Sequence, residues 1–160
     1  MKNEVLAIVV ASPPRRVIGV GSVLILGVTA ICVALLRPPS NPGWVVFLLA
    51  LGVGALWLTD RMRKATSNRL ELTRDVLRSS TGEVLVNVAD VEAIERGAFA
   101  FKPSNGFTLR LKPDAQSGPK RWEPGLWWRM GNRVGVGGVT PGHQGRAMAE
   151  ILSAVMQEPR

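Results

Sequence analysis

The chain has 160 residues and a formal net charge of +8; 46% of its residues are hydrophobic and 20% are charged. Charged residues are almost absent from residues 17–60, so the remainder must form an ordinary soluble domain with one core. A single cysteine excludes an intramolecular disulfide and a cysteine-based metal cluster, and a single histidine excludes a bis-histidine haem site. This cysteine usage suits a reducing compartment.

Two uncharged apolar runs near the start of the chain predict a membrane hairpin over residues 17–59, preceded by an N-terminal segment of residues 1–16. As a helix the first run, residues 17–36, is about 30 Å long, which matches the hydrocarbon core of a bilayer. The second, residues 44–58, gives only about 22 Å and reaches further only if Pro42, Gly43 and Thr59 belong to it. A cleaved signal peptide is disfavoured because the first run is longer than an h-region and a second run follows at once.

Basic residues flank the two runs on their outer sides, whereas the connecting turn holds only Arg37. The positive-inside bias therefore predicts a multi-pass membrane protein with both termini in the cytoplasm. Glycines in the spans permit close helix approach; they are Gly19, Gly21, Gly27, Gly52 and Gly54. The predicted membrane-interface anchors are Arg15, Arg16, Trp44, Trp57, Arg61, Arg63 and Lys64.

The soluble part is predicted to be an antiparallel sheet. Strands are expected at residues 70–72, from Val76 after a tight turn at Arg74-Asp75, and at residues 84–88, with a further turn at Thr81-Gly82. Residues 90–96 read as a strand in either of two registers, and Ser104-Asn105-Gly106 is a hairpin turn before the alternating strand of residues 107–111. Residues 113–125 predict an exposed loop, and residues 126–130 and 133–139 predict strands joined by Gly131-Asn132.

One amphipathic helix is predicted to close the domain. Thr140 is expected as its N-cap and Pro141 as its first residue. Its apolar stripe would consist of Ala147, Met148, Ile151, Leu152, Val155 and Met156. The preceding glycine-rich run, residues 135–142, lacks the lysine of a phosphate-binding loop and is interpreted as a strand-to-helix turn, with His143 in a surface or capping role.

Charge is unevenly distributed along the soluble part. Six acids and two bases lie in residues 71–95, but eight bases and two acids lie in residues 96–133. The basic stretch also holds the aromatic residues Phe99, Phe101, Phe107, Trp122, Trp127 and Trp128. A solvated basic sheet face and a binding surface are equally compatible with this pattern. As a surface for lipid headgroups or a partner, it would comprise Lys102, Arg110, Lys112, Lys120, Arg121, Trp122, Trp127, Trp128 and Arg129.

Trp127 and Trp128 are adjacent, so in a strand they face opposite sides and only one can enter the core. The other is expected to be exposed, or covered by membrane or a partner.

The order of elements and the segments LELTRDVLRSSTG, VEAIERG, SNG and GNRVGVGGVTPGHQGRAMAEIL resemble the bacterial pleckstrin-homology-like membrane proteins. The resemblance covers roughly residues 5–157 and implies a fold. That fold is a membrane α-helical hairpin plus an α+β soluble domain over residues 66–160, a PH-like antiparallel sheet or split barrel capped by the C-terminal helix. Members of the broader class lack a common enzymatic activity, and no ligand motif of the family matches positions of this chain.

The expected function is that of a non-catalytic inner-membrane accessory subunit, or of an assembly or scaffold factor. It would contact membrane lipids and dock on a larger integral membrane complex, for example a respiratory or photosynthetic one. The alternative is a sensor or scaffold at the membrane surface that binds anionic lipid through Lys102, Arg110, Lys112, Lys120 and Arg121. No cofactor, metal, nucleic acid or small-molecule substrate is expected, because the sequence contains no catalytic or ligand-binding constellation.

Overall fold

The computed structural model describes residues 4–96, 104–115 and 120–158. The predictions made for Lys102, Phe99 and Phe101 fall outside these ranges. Within them, two long apolar helices, two antiparallel sheets and a C-terminal helix confirm the α+β layout expected from the sequence.

The two long helices are α1, Pro13–Leu36, and α2, Pro42–Ala65, with 24 residues each. Each is about 36 Å long at 1.5 Å per residue. Both are apolar and long enough to cross a membrane, judged by length and composition. The second helix is not the shorter one, because it includes Pro42, Gly43 and Thr59; the Asn41 side chain caps it by accepting a hydrogen bond from the backbone N–H of Gly43 at 2.8 Å.

Glycines set the distance between α1 and α2. A Cβ added at Gly27 would lie 3.1 Å from both the Ala55 Cβ and the Gly52 carbonyl oxygen, and one at Gly52 would lie 3.0 Å from the Gly27 oxygen. These two glycines therefore serve contact within the hairpin. Gly21 and Gly54, by contrast, have nothing within 4 Å of such a Cβ.

The first sheet has strand order β1-β2-β3-β4, and every neighbouring pair is antiparallel. Its strands are β1 (Ala7–Val10), β2 (Arg69–Leu72), β3 (Val76–Ser79) and β4 (Val84–Asn87). Strand β1 comes from the N-terminal segment, for which the sequence analysis predicted no strand. Since β1 precedes α1 and β2 follows α2, the helical hairpin is inserted between two neighbouring strands of one sheet.

The second sheet has strand order β5-β6-β9-β8-β7, again antiparallel throughout. Its strands are β5 (Val91–Glu95), β6 (Phe107–Leu111), β7 (Arg121–Glu123), β8 (Trp127–Met130) and β9 (Arg133–Val136). A register shift between Val91 and Ala93 explains why sequence could not choose a register for β5. It lets both Val91 and Ile94, three residues apart, reach the core.

Predictions about three elements were wrong in detail. Strand β7 lies within the segment predicted as an exposed loop, and β9 ends at Val136 instead of Val139. The final helix, α3, spans Gly142–Gln157, so its N-cap is Pro141 and not Thr140. Its buried face includes Met148, Ala149 and Leu152, whereas Ala147 is exposed.

The core lies between the two sheets and α3. Fully buried leucines, valines and Phe107 from both sheets meet Met148 and Leu152 of α3. The predicted turns are confirmed at Asn105, where φ is 58°, and at Gly131, where φ is 57°. The glycine-rich run is a strand-to-helix turn as expected: added Cβ atoms at Gly137 and Gly138 would lie within 2.7 Å of the backbone at Gly106 and Gly125.

Candidate docking surface

The base of the helical hairpin is held against the folded domain by backbone and side-chain hydrogen bonds. The Ser12 N–H donates to the Val139 carbonyl at 2.8 Å, and the Arg15 guanidinium donates to the Thr140 carbonyl at 3.1 Å. From α2, Arg61 lies 4.0 Å from the Glu123 carboxylate of β7. The hairpin is therefore fixed to the segments before β8 and after β9. This contact was not predicted from the sequence, because Glu123 lies in the segment that was expected to be an exposed loop.

Apolar packing completes this junction. An added Cβ at Gly125 would lie 3.0 Å from the Thr66 Cγ2 atom and 3.3 Å from the Met62 Cε atom, and φ at Gly125 is +86°. At Gly19, an added Cβ would lie 2.9 Å from the same Met62 carbon and 3.4 Å from a Val139 methyl. The last turns of α2 thus pack tightly on the domain where glycine leaves room.

The residues predicted as membrane-interface anchors fall into two groups. Trp44 and Trp57 are exposed, and the Trp44 ring meets Phe47 edge-to-face with ring centroids 5.5 Å apart. The basic anchors are engaged at the hairpin base: Arg16 donates to the Arg63 carbonyl at 3.2 Å. Within α2, Asp60 pairs with Lys64 at 2.6 Å and with Arg63 at 3.7 Å.

Two basic residues of the predicted binding surface, Arg110 and Arg121, are paired with glutamates. In β6, Arg110 lies 3.3 Å from Glu92 and 3.8 Å from Glu95 on the adjacent antiparallel strand. Arg121 lies 3.0 Å from Glu83 and 3.5 Å from Glu123. At these two positions the bases of the second stretch are therefore paired with acids, most of them from the first stretch.

Two further residues of the predicted surface donate hydrogen bonds to backbone carbonyls, and a third is exposed. Lys112 donates to the Ala89 carbonyl at 2.8 Å, and Arg129 donates to the Leu85 carbonyl at 2.8 Å, which ties β8 to β4. Lys120 is exposed at the start of β7.

The prediction that only one of the two adjacent tryptophans enters the core is confirmed, but the other is half-buried on its own sheet and not fully exposed. Trp127 is only 3% exposed and belongs to the core, whereas Trp128 points to the other side of β8 and is half-buried. Trp128 lies against Gly135 of the neighbouring strand, where an added Cβ would approach the indole within 2.3 Å. A glycine at this position is what lets the ring lie flat on the sheet.

Trp122 stands directly opposite Trp128 in the β7–β8 ladder and is 45% exposed. Because side chains alternate along a strand, Met130 lies on the same outer side as Trp128, and it is 53% exposed. We call this outer side of β7 and β8, made of Trp122, Trp128 and Met130, the tryptophan face. It is apolar, and it begins beside Glu123, where the domain meets α2.

Open clefts flank α3. One of about 430 Å³ lies beside the first half of the helix and is lined by Arg96, Arg146 and Glu150 and by the turn at Asn105. Another, of about 220 Å³, lies at the end of α3 and is lined by Lys112, Met156 and Glu158. In the part of the chain that the structure describes, no group of three or more His, Cys, Asp or Glu residues could hold a metal ion.

We compared the chain with protein-family models, with curated proteins and with solved structures, and none of them matches. The geometry described above therefore carries the functional argument.

Proposed function

We propose that the chain is a non-catalytic integral protein of the bacterial inner membrane that docks on a larger membrane complex, as an accessory subunit or an assembly factor. The main support for this proposal is that the helical hairpin is inserted between two paired strands of the domain and contacts it at its base through Ser12, Arg15 and Arg61. A domain fixed in this way keeps one orientation relative to the spans, which suits docking through both parts together.

The strand pairing supports a topology with both termini on one side of the membrane. Val10 at the end of β1 faces Arg69 at the start of β2, so the chain leaves and re-enters the same sheet at one place. A hairpin that spans a bilayer between these strands returns to the side from which it started. The excess of basic residues outside the spans favours the cytoplasm for that side.

The outer faces of the two helices offer a contact surface within the bilayer. Val17, Ile25 and Val46 have between 67% and 70% of their surface exposed. Gly21 and Gly54 remain open after the hairpin has formed. Small residues in a membrane-exposed face allow a second helix to approach closely, because interhelical contact in lipid depends on packing.

The alternative, an anionic-lipid sensor acting through its basic residues, is less well supported. Arg110 and Arg121 lie within 3.3 Å of glutamates, and Lys112 is hydrogen-bonded to a carbonyl. Bases that are already paired contribute little additional attraction to a charged membrane surface.

The arrangement of two antiparallel sheets and a C-terminal helix supports a further part of our proposal. This part is that the domain is PH-like and serves as a docking module without catalytic activity.

Co-purification from native membranes tests this proposal. The tagged full-length chain, extracted in a gentle detergent, should migrate with a stoichiometric partner complex. The variant Gly54→Val should lose the partner without losing stability, since nothing lies within 4 Å of a Cβ added at this position in the isolated hairpin. Migration of the wild-type chain as a free monomer would contradict the proposal.

A further inference from the structure

The charge pattern of α2 indicates how deep the base of the hairpin lies in a bilayer. Residues 44–59 of α2 carry no charge, and Asp60, Arg61, Arg63 and Lys64 follow at once. On a spanning helix the hydrocarbon boundary therefore lies close to Thr59, and Arg61 lies in the headgroup layer, which is about 5–7 Å thick on each side. Trp57 is one turn deeper on the same helix face as Arg61, because the two are four residues apart, and it is 59% exposed.

Arg61 is also the residue that reaches the domain. Its guanidinium lies 4.0 Å from the Glu123 carboxylate at the end of β7, which places the end of this strand at headgroup depth. Trp122 is the preceding residue, with its Cα about 3.8 Å from that of Glu123. The two side chains leave β7 on opposite sides: Glu123 turns towards α2 and the interior, and Trp122 turns outwards.

The surroundings of Trp122 suit the membrane interface. Its outward neighbour across the ladder is Trp128, and the exposed Lys120 lies two residues earlier, just before β7. An indole has an apolar ring and a polar N–H, which is why tryptophan concentrates at the headgroup level, and a lysine beside it can extend to a phosphate.

We infer that the end of the tryptophan face nearest α2 rests on the bilayer, with Trp122 inserted in the headgroup layer of the leaflet next to the domain and Met130, at the far end, outside it. Trp57 and Trp122 are then two anchors on either side of the Arg61–Glu123 contact, one on the span and one on the sheet. The domain lies against the lipid surface at a fixed tilt. This inference rests on the proposed function, because it requires the hairpin to span a bilayer.

Spin-label accessibility in the full-length chain tests the inference. In a Cys32→Ser background, nitroxides are placed singly by Trp122→Cys, by Met130→Cys and by Phe47→Cys, and each chain is reconstituted in nanodiscs. Met130 is the matched control, because it is similarly exposed on the same face but lies two residues further along β8 from the junction. Phe47 reports on the span itself, where its side chain is 52% exposed.

The expected result is a ratio of oxygen accessibility to water-soluble nickel-chelate accessibility that is several-fold higher at position 122 than at 130. If positions 122 and 130 are equally open to the nickel chelate while 47 is in lipid, the inference is overturned and the proposed membrane hairpin stands. If position 47 is also open to the chelate, both fail. Protection of position 122 from both reagents would indicate a protein contact and would also overturn the inference.

A second measurement leaves the site unlabelled, in case Trp122→Cys disturbs the fold. Brominated lipids quench tryptophan fluorescence on contact, so the fluorescence lost from the wild-type chain is compared with that lost from Trp122→Phe. Shallow bromine positions should quench the wild type more strongly than the variant. Equal quenching of the two chains would contradict contact between Trp122 and lipid.

Discussion

Gly135 determines where the indole of Trp128 can lie. An added Cβ would be 2.3 Å from two indole atoms, a separation that real side chains do not adopt. We predict that Gly135→Ala displaces the ring and lowers the free energy of unfolding by about 1–3 kcal/mol, the usual cost of overpacking. Thermal unfolding and a red shift of tryptophan emission would report it.

A double-mutant cycle separates this clash from other effects of an alanine in β9. In a Trp128→Ala background the obstacle is gone, so the additional cost of Gly135→Ala should largely vanish. An equal cost in both backgrounds would show that the indole is not the reason for glycine at this position.

Some features of single residues follow from the sequence alone, and others depend on the strand register. The alternation of Phe107, Leu109 and Leu111 and the opposite sides of Trp127 and Trp128 follow from strand periodicity alone. The pairing of Arg110 with Glu92 and Glu95 does not, because it depends on the register of β5 against β6 and on a bulge in β5. The net charge of the predicted surface could therefore be predicted from the sequence, but the pairing of its charged side chains could not.

Among the elements, β1 ties the start of the chain to the domain. Val9 is fully buried in the core and Ile8 is 44% exposed on the same strand. We predict that Val9→Thr, which buries a hydroxyl, destabilises the domain by about 1–3 kcal/mol. Ile8→Thr keeps the β-branch at an exposed position and should cost less than about 0.5 kcal/mol.

Chemical denaturation of the two variants, followed by far-UV circular dichroism, measures the difference. Equal stability of Val9→Thr and wild type would show that β1 is not part of the core. The sequence did not reveal β1 because its short apolar run merges with the approach to the first span, and its partner β2 is about sixty residues away along the chain. Strand β7 was missed for a related reason: three residues in a Pro- and Gly-rich segment carry no periodic signal.

The contact between α1 and α2 offers a second test at this scale. An added Cβ at Gly52 meets the Ile31 side chain and lies 3.0 Å from the Gly27 backbone oxygen, whereas at Gly54 it meets nothing within 4 Å. We predict that Gly52→Val weakens the hairpin by about 1–3 kcal/mol and that Gly54→Val leaves it unchanged. Titration of the micelle-bound chain with SDS compares the two, and equal midpoints would rule out close packing at Gly52.

For the whole molecule, the insertion of the hairpin between β1 and β2 changes what counts as the soluble domain. Residues 66–160 alone lack β1, so the sheet loses the strand that carries Val9 and leaves the edge of β2 uncovered. A fragment that begins at residue 66 is expected to aggregate, because it exposes both apolar surface and an unpaired strand edge. Lipid-binding experiments on such a fragment would report on a damaged domain.

The strand register indicates how an intact soluble form can be made. Val10 and Arg69 are direct partners, so replacing residues 11–68 by Asn-Gly should join β1 and β2 through a two-residue hairpin turn. We expect this variant to be monomeric in size-exclusion chromatography and to give dispersed amide resonances, since the core of two sheets and α3 is retained. The fragment that begins at residue 66 is the control. If the shortened chain were as aggregated as that fragment, the contacts of Met62, Thr66 and Ser12 with the domain would be required for folding, and the hairpin would be part of the folded unit.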